Sequence, residues 1–148
     1  MRMNAATNGA MRILMVCRQD RSLSMPEMAT ELGLAEALVL KTCHMLMQAG
    51  YLVGKRGRNG GYRLARSPET ISLTEIIDLF EPEENLFPCR LRTDRECRIV
   101  TICRLRRACE RAYAAFRQEL DRMTVADLAL DIMPISTPPV SPRTAVVR

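Results

Sequence analysis

The chain has a single histidine, no tryptophan and only six aromatic residues. No nucleophile motif and no phosphate-cradling glycine loop accompanies that histidine, so hydrolytic and group-transfer machinery is not expected. No stretch reaches the ~18 apolar residues of a membrane span. The opening residues, MRMNAATNGAMRILMVC, have no apolar core of the kind a secretory signal carries. The expectation is a cytoplasmic protein whose thiols stay reduced. In that setting six cysteines read as metal ligands, reactive thiols or small core residues rather than as three disulfides.

What is present is charge placed unevenly and a core made without aromatics. Ten methionines, with Leu, Ile and Ala, suit a helix-rich interior. Residues 1–65 hold nine Lys/Arg against four Asp/Glu, whereas residues 66–148 hold thirteen of each. The whole excess of five positive charges therefore lies in the first half, which points to an anionic partner there. A merely solvated basic surface would show the same excess, so the charge needs support from local structure.

Helical spacing predicts a first helix over 7–18, capped by Thr7 or Asn8, with Met11, Leu14, Met15 and Arg18 in register. Ser24 and Glu27 form a capping box with Pro26 near the first helical position, and Gly33 stops that short helix. A third helix is expected over 34–49, with Leu34, Leu38, Cys43, Leu46 and Met47 as its buried stripe and Gly50 as its stop. Residues 51–64 change character. Two β-prone runs flank a tip of Gly57, Arg58, Asn59, Gly60 and Gly61, and Asn-Gly-Gly tolerates the positive φ of a tight turn.

Ser72 and Glu75 read as a second capping box, opening a helix to about Phe80. The acidic loop EPEENLFP follows. A long helix is expected over 102–123, with Leu105, Ala108, Ala112, Phe116, Leu120 and Met123 on one face, and Thr124 starts a final short helix. Four prolines in nine residues from Pro134 predict a disordered tail.

Two helices joined by a glycine turn, followed by a basic hairpin, describe a winged helix-turn-helix. The predicted fold class is thus mostly α with a small β-hairpin wing and a long C-terminal helix. Residues 1–80 are the winged helix-turn-helix, 81–103 a cysteine-containing loop, 104–131 the long helix and short terminal helix, and 132–148 the tail. The third helix can enter a major groove ~12 Å wide. Glu36 and Lys41 are its polar candidates for base contact, while Ala35, Ala37 and Leu40 offer apolar contacts only. Lys55, Arg56, Arg58 and Asn59 at the wing can meet phosphates or a narrow minor groove. Double-stranded operator DNA is the expected partner. His44 reads as a surface or packing residue.

Cys89, Cys97 and Cys103 are separated by seven and by five residues. No pair shows the tight spacing of most zinc sites. Thiolate sets in a reducing compartment suit iron–sulfur clusters, and a disulfide switch is a further alternative. Residues 89–111 carry eight arginines against three acids, and such cationic neighbours favour the anionic sulfur that binds metal. Cys17 and Cys43 lie inside helices and read as small buried side chains. Cys109 would stand about 9 Å along the helix axis from Cys103 and is not expected to share its ligand set.

The wing phrase GKRGRNGGYRLAR, the three-cysteine spacing, the opening MRMNAATNGAMRILM and the closing LDRMTVADL together resemble a bacterial family of winged-helix iron–sulfur repressors. That family includes the cluster-assembly regulator IscR, the nitric-oxide-sensing repressor NsrR and the rhizobial-type iron regulator RirA. The likeness covers about residues 1–130, and the cysteine spacing with RGRNGG looks closest to the iron regulators. The resemblance implies a homodimer whose long helices pack antiparallel across a two-fold axis. It implies a cluster held by Cys89, Cys97 and Cys103; in the family a fourth ligand can come from the first helix of the partner subunit, which here offers Asn8, the alternatives being water or a small molecule.

The assembly regulators have a histidine three residues after the third cysteine, where this chain has Arg106, which favours a 4Fe–4S over a 2Fe–2S cluster. The nitric-oxide sensors have an acid at the position of Asn8. A neutral amide is a weak iron ligand, which favours sensing of iron supply or cluster status over sensing of nitric oxide. A rival from another class is an iron–sulfur carrier or redox protein, for which a basic wing has no use. A winged-helix regulator with structural zinc, or with no metal, is the third alternative.

Overall fold

The computed structural model describes residues 3–55, 57, 60–81, 99 and 101–129. In chain order they form α1 (Ala5–Val16), α2 (Met25–Leu32), α3 (Glu36–Gln48), β1 (Leu52–Lys55), β2 (Gly61–Leu64), a short 3-10 turn (Pro68–Thr70), α4 (Leu73–Phe80), α5 (Arg104–Asp121) and α6 (Val125–Leu128). This is the expected mostly helical fold with a two-stranded antiparallel wing. The expected tail from Pro134 lies outside the described residues.

α1 is the centre of the packing and lies against α3, α4, α6 and α2. Its cap is Asn4, not Thr7 or Asn8: the Asn4 side chain accepts from the Thr7 backbone N–H at 2.8 Å. Thr7 is buried, so it is consumed by the interior rather than by the helix end. Ile13 and Leu14 of α1 meet Val39 and Leu46 of α3, Ile76 of α4 and Val125 of α6 in one core, all at most 2% exposed. Burial of such side chains contributes about 1.5–3 kcal/mol each.

α2 begins with the expected reciprocal capping box between Ser24 and Glu27 and ends on Gly33 at φ +59°, a left-handed turn that glycine adopts without steric cost. The turn then delivers α3. Its buried side chains are Val39, Thr42, Cys43 and Leu46. Cys43 and Leu46 are buried as expected, but Leu34 and Leu38 are only half-buried and Met47 is exposed. Val39 and Thr42 complete the inner face in their place. The second expected capping box is also corrected. Ser72 does accept from the Thr74 N–H, at 3.2 Å. Glu75, however, turns outward and accepts from the Tyr51 hydroxyl at 3.1 Å.

The wing pairs Leu52 with Leu64 and Lys55 with Gly61. Leu23 is stitched to its outer edge, donating to the Tyr62 carbonyl at 2.9 Å and accepting from the Tyr62 N–H at 2.7 Å. A Cβ on Gly61 would stand 2.4 Å from the Leu23 carbonyl oxygen, so the last glycine of RGRNGG is required by this backbone contact.

α5 is shorter than expected, and its apolar row faces outward along the first half. Leu105 is 70% exposed, and Tyr113 is the buried residue of the helix. Only the second half, with Leu120 followed by Met123, packs on the core of its own chain.

Two buried hydroxyls oppose this packing, those of Thr42 and Thr74. The Thr42 hydroxyl is fully buried and has no hydrogen-bond partner among the described residues. It faces Gly9 of α1, where a Cβ would lie 3.7 Å away. An unsatisfied buried hydroxyl costs about 1–3 kcal/mol. Thr42→Val keeps the shape and removes that cost, so we expect a gain of about 1 kcal/mol, read as a raised urea midpoint with an unchanged slope.

Candidate nucleic-acid interface and thiol site

The inner face of α3 is taken up by α1 and α2, and one flank meets β1. What remains in solvent includes Glu36 in the first turn and Lys41 one turn on. Lys55 is exposed at the end of β1. The structure thus places these three expected contact residues on the exposed side of α3 and on the wing. Arg56, Arg58 and Asn59, the rest of the expected set, lie outside the described residues. Two further exposed polar residues of α3 lie outside the expected contact set: His44, which is on the surface, and Gln48. Their positions three and seven residues after Lys41 were the available signal.

The base of the wing is held by side chains rather than by the hairpin alone. Arg66 lies over the Tyr51 ring at 4.5 Å and donates to the Glu75 carboxylate at 3.4 Å. The Tyr51 hydroxyl, donating to the same carboxylate, is raised above the usual phenol range by burial and then by Glu75. This cluster joins the strand after α3 to α4, so the wing is referred to the helical core.

The thiols separate by environment. Cys17 and Cys43 are buried, and burial pushes each up to about 12, with Cys43 adding to the effect on Cys17. Both stay protonated at neutral pH and act as small apolar side chains. Cys103 is different: it is the N-cap of α5, and its Sγ accepts from the Arg106 N–H at 3.4 Å. Cys109 is half-buried within α5. Cys89 and Cys97 lie outside the described residues. Among the described residues no three His, Cys, Asp or Glu side chains gather as a metal site.

Asn8 is exposed on α1, one turn after the cap, and its backbone N–H donates to the Asn4 carbonyl at 3.1 Å. A polar clasp adjoins it. The buried Glu81 carboxylate accepts from the Asn4 N–H and from the Thr7 hydroxyl, both at 2.6 Å. Asn4 also donates to the Phe80 carbonyl at 2.8 Å. Glu81, the last described residue before the cysteine segment, therefore lies at the start of α1. Pattern reasoning had no means of finding this clasp, because Glu81 lies more than seventy positions from Asn4 and Thr7.

The far end of α5 is fastened to the same domain. The Leu73 N–H donates to the Met123 carbonyl at 3.1 Å, and the Val125 N–H to the Ile71 carbonyl at 2.9 Å. Arg117 grips both carboxylate oxygens of Asp78, one of them at 2.8 Å, and donates to the Tyr113 hydroxyl at 3.4 Å.

A helix-turn-helix with its outer face in solvent, a braced basic wing and a long helix leaving the domain define a winged-helix regulator of transcription rather than an enzyme. The comparisons name the group. A family model described as Rrf2, iron-dependent transcriptional regulator, matches residues 3–131, and the chain belongs to that family. It is 33% identical over 130 residues to Protein aau3 of Rhizobium meliloti (strain 1021), covering 86% of this chain and 84% of the relative. It is 31% identical over 134 residues to the HTH-type transcriptional regulator NsrR of Geobacillus kaustophilus (strain HTA426), covering 88% and 91%. Among solved structures it is similar to T. potens IscR, with a TM-score of 0.66, 25% identity and coverage of 86% and 85%. It shares its fold with CymR, the global cysteine regulator of B. subtilis, with a TM-score of 0.69, 22% identity and coverage of 87% and 96%. No helix among the described residues is long and apolar enough to cross a membrane.

The Arg117 hydrogen bonds hold Asp78 below the usual carboxylate range. Its stabilising effect is therefore complete above the unfolded-state value of about 3.9 and is lost as pH falls through the folded-state value. The Asp78 side chain is about half exposed (51%), so the effect at neutral pH is below about 1 kcal/mol. Asp78→Asn should lower the urea midpoint slightly at pH 7, and the gap to wild type should close as the pH falls toward about 2.

Proposed function

We propose that the chain is a cytoplasmic, homodimeric, iron–sulfur-cluster-dependent transcriptional repressor that responds to iron availability or cluster status. Cys89, Cys97 and Cys103 would hold the cluster, with 4Fe–4S favoured, and Asn8 of the partner subunit is the candidate fourth ligand. The observation that carries the reading is the position of Cys103. Its sulfur sits at the N-terminus of α5 and already accepts a helix N–H, an arrangement suited to an anionic ligand. The opposite end of the same helix is fastened to the DNA-reading domain through Arg117 and Asp78. When bound, a cluster supplies a reversible link among sulfurs that iron shortage or oxidants remove.

The chain's own residues explain how such a link can matter to DNA. The first half of α5 exposes Leu105, and Ile102 before it is 73% exposed. These side chains suit burial against a second α5 in a dimer. With Cys103 tethered, the two reading domains would keep a spacing near one DNA turn, ~34 Å. Glu36 and Lys41 would then face base edges, and Lys55, Arg56, Arg58 and Asn59 the backbone or minor groove. The cysteine spacing and RGRNGG ally the chain with the rhizobial-type iron regulators. Nitric oxide sensing is the second reading, favoured by the likeness to NsrR; promoter release by an iron chelator but not by nitric oxide separates the two.

Cys97→Ala should abolish visible absorption in oxygen-free preparations and specific operator binding, while circular dichroism stays unchanged. Tight, specific binding by that variant would remove the cluster from the switch. Arg58→Ala should weaken binding to all sequences and lower the slope of log K against log salt by about one. An unaltered slope places the wing tip away from phosphate.

A further inference from the structure

The outer ridge of α3 carries a sequence-reading row that the basic residues alone do not define. α3 is bounded by α1 on the side of Leu38 and Thr42, which face Gly9, and by β1 on the side of Met47, whose sulfur lies over Gly54. Val39, Thr42, Cys43 and Leu46 point inward. At about 100° per residue, the row diametrically opposite this inner face is Ala37, Lys41, His44 and Gln48. All four are exposed. Leu40, 52% exposed, borders the row.

The polar members of this row are not engaged elsewhere. None of Lys41, His44 and Gln48 makes a side-chain hydrogen bond or ion pair with another described residue. The long helix α5 behaves differently, because charged residues of its surface neutralise one another along the helix, as Arg106 does with Glu110 at 2.8 Å. A helix surface that is solvated for its own sake gains from such pairs. The α3 ridge instead keeps three distinct hydrogen-bonding side chains that pair with no carboxylate among the described residues.

We propose that His44 and Gln48, together with Lys41, are sequence-determining residues that read consecutive bases of each operator half-site. The proposal rests on the DNA-binding reading above and assigns its specificity. The chemistry differs along the row. Lys41 donates to guanine O6 and N7, whereas the Gln48 amide can both donate to N7 and accept from N6 of adenine. His44 lies between them, with one imidazole nitrogen able to donate to a purine N7. Leu40 at the border offers its methyl groups to a thymine methyl.

The spacing is commensurate with DNA. At a rise of about 1.5 Å per residue, His44 follows Lys41 by about 4.5 Å and Gln48 follows His44 by about 6 Å. Base pairs stack about 3.4 Å apart, so a helix lying along the groove spreads the row over about four base pairs. The order of the three residues then fixes the order of the bases they discriminate.

The test is selection of binding sites from a random DNA pool by full-length protein purified without oxygen, for wild type and for Lys41→Ala, His44→Ala and Gln48→Ala. Wild type should yield a two-fold symmetric motif. Each variant should lose about tenfold discrimination at its own position, and the three positions should fall in the order Lys41, His44, Gln48 within about four base pairs. The salt slope of His44→Ala and Gln48→Ala should match wild type. As a second measurement, the ring signals of His44, the only histidine, should shift on the selected duplex and not on a scrambled one of equal length.

Motifs unchanged in His44→Ala and Gln48→Ala, or a uniform loss over all sequences with a lower slope, would overturn the assignment while leaving the DNA-binding reading intact. A wild type that selects no motif would instead overturn the DNA-binding reading itself. Circular dichroism identical to wild type excludes loss of α3 as the cause.

Discussion

In the proposed function α5 bears a sensor at one end, and it can report to DNA only if its other end is rigidly joined to the reading domain. In this protein the joint lies where α5 passes into α6. Backbone bonds from Leu73 to Met123 and from Val125 to Ile71 give it direction. The Arg117 grip on Asp78 fixes the rotation of the helix, because a bidentate guanidinium–carboxylate pair constrains orientation as well as distance. Its energetic share is small, since exposed pairs contribute little. The joint matters for geometry rather than for stability, and most of the cohesion comes from the apolar core behind it.

That core also decides what α3 shows to solvent. Close approach of α3 to α1 at Gly9, and the seat of Met47 against Gly54, occupy two flanks. The inner face is filled by Val39, Cys43 and Leu46. The side left over is the one that a groove in DNA can receive. The wing is positioned by equally local means: the Leu23–Tyr62 bridge on its edge and the Tyr51, Arg66 and Glu75 cluster at its base.

The cysteines show how surroundings give one residue type different chemical character. Cys17 and Cys43 are sealed in the core, protonated and inert. Cys103, at a helix start with its sulfur on a backbone N–H, has the accessibility and polarity that a ligand needs. The clasp of Asn4, Thr7 and Glu81 adds a structural relation between the two ends of the proposed sensor, since it brings the exit of the cysteine segment to the helix that carries Asn8. In the proposed function, a change at the thiols is therefore felt beside α1, the helix against which α3 is packed.

Much of this was legible in the amino-acid order because it depends on neighbours in the chain. The Ser24 and Glu27 cap, the Gly33 stop and the hairpin around RGRNGG are all short-range signals. Each has a local physical cause, an orphan N–H or a positive φ. The failures were long-range. Asn4 rather than Thr7 caps α1 because Thr7 is claimed by Glu81, 74 positions away. Glu75 left its cap for Tyr51 because the fold brought a better partner. The inner face of α3 was legible at Cys43 and Leu46 but not at Thr42, a polar residue buried against α1. Sequence alone determined which helices and which wing this protein has, since backbone capping and turn geometry are settled within a few residues. Only the tertiary structure decided which side chains of those helices face the core, the joint or the outside, because burial is set by what packs against a surface and not by the residue that bears it.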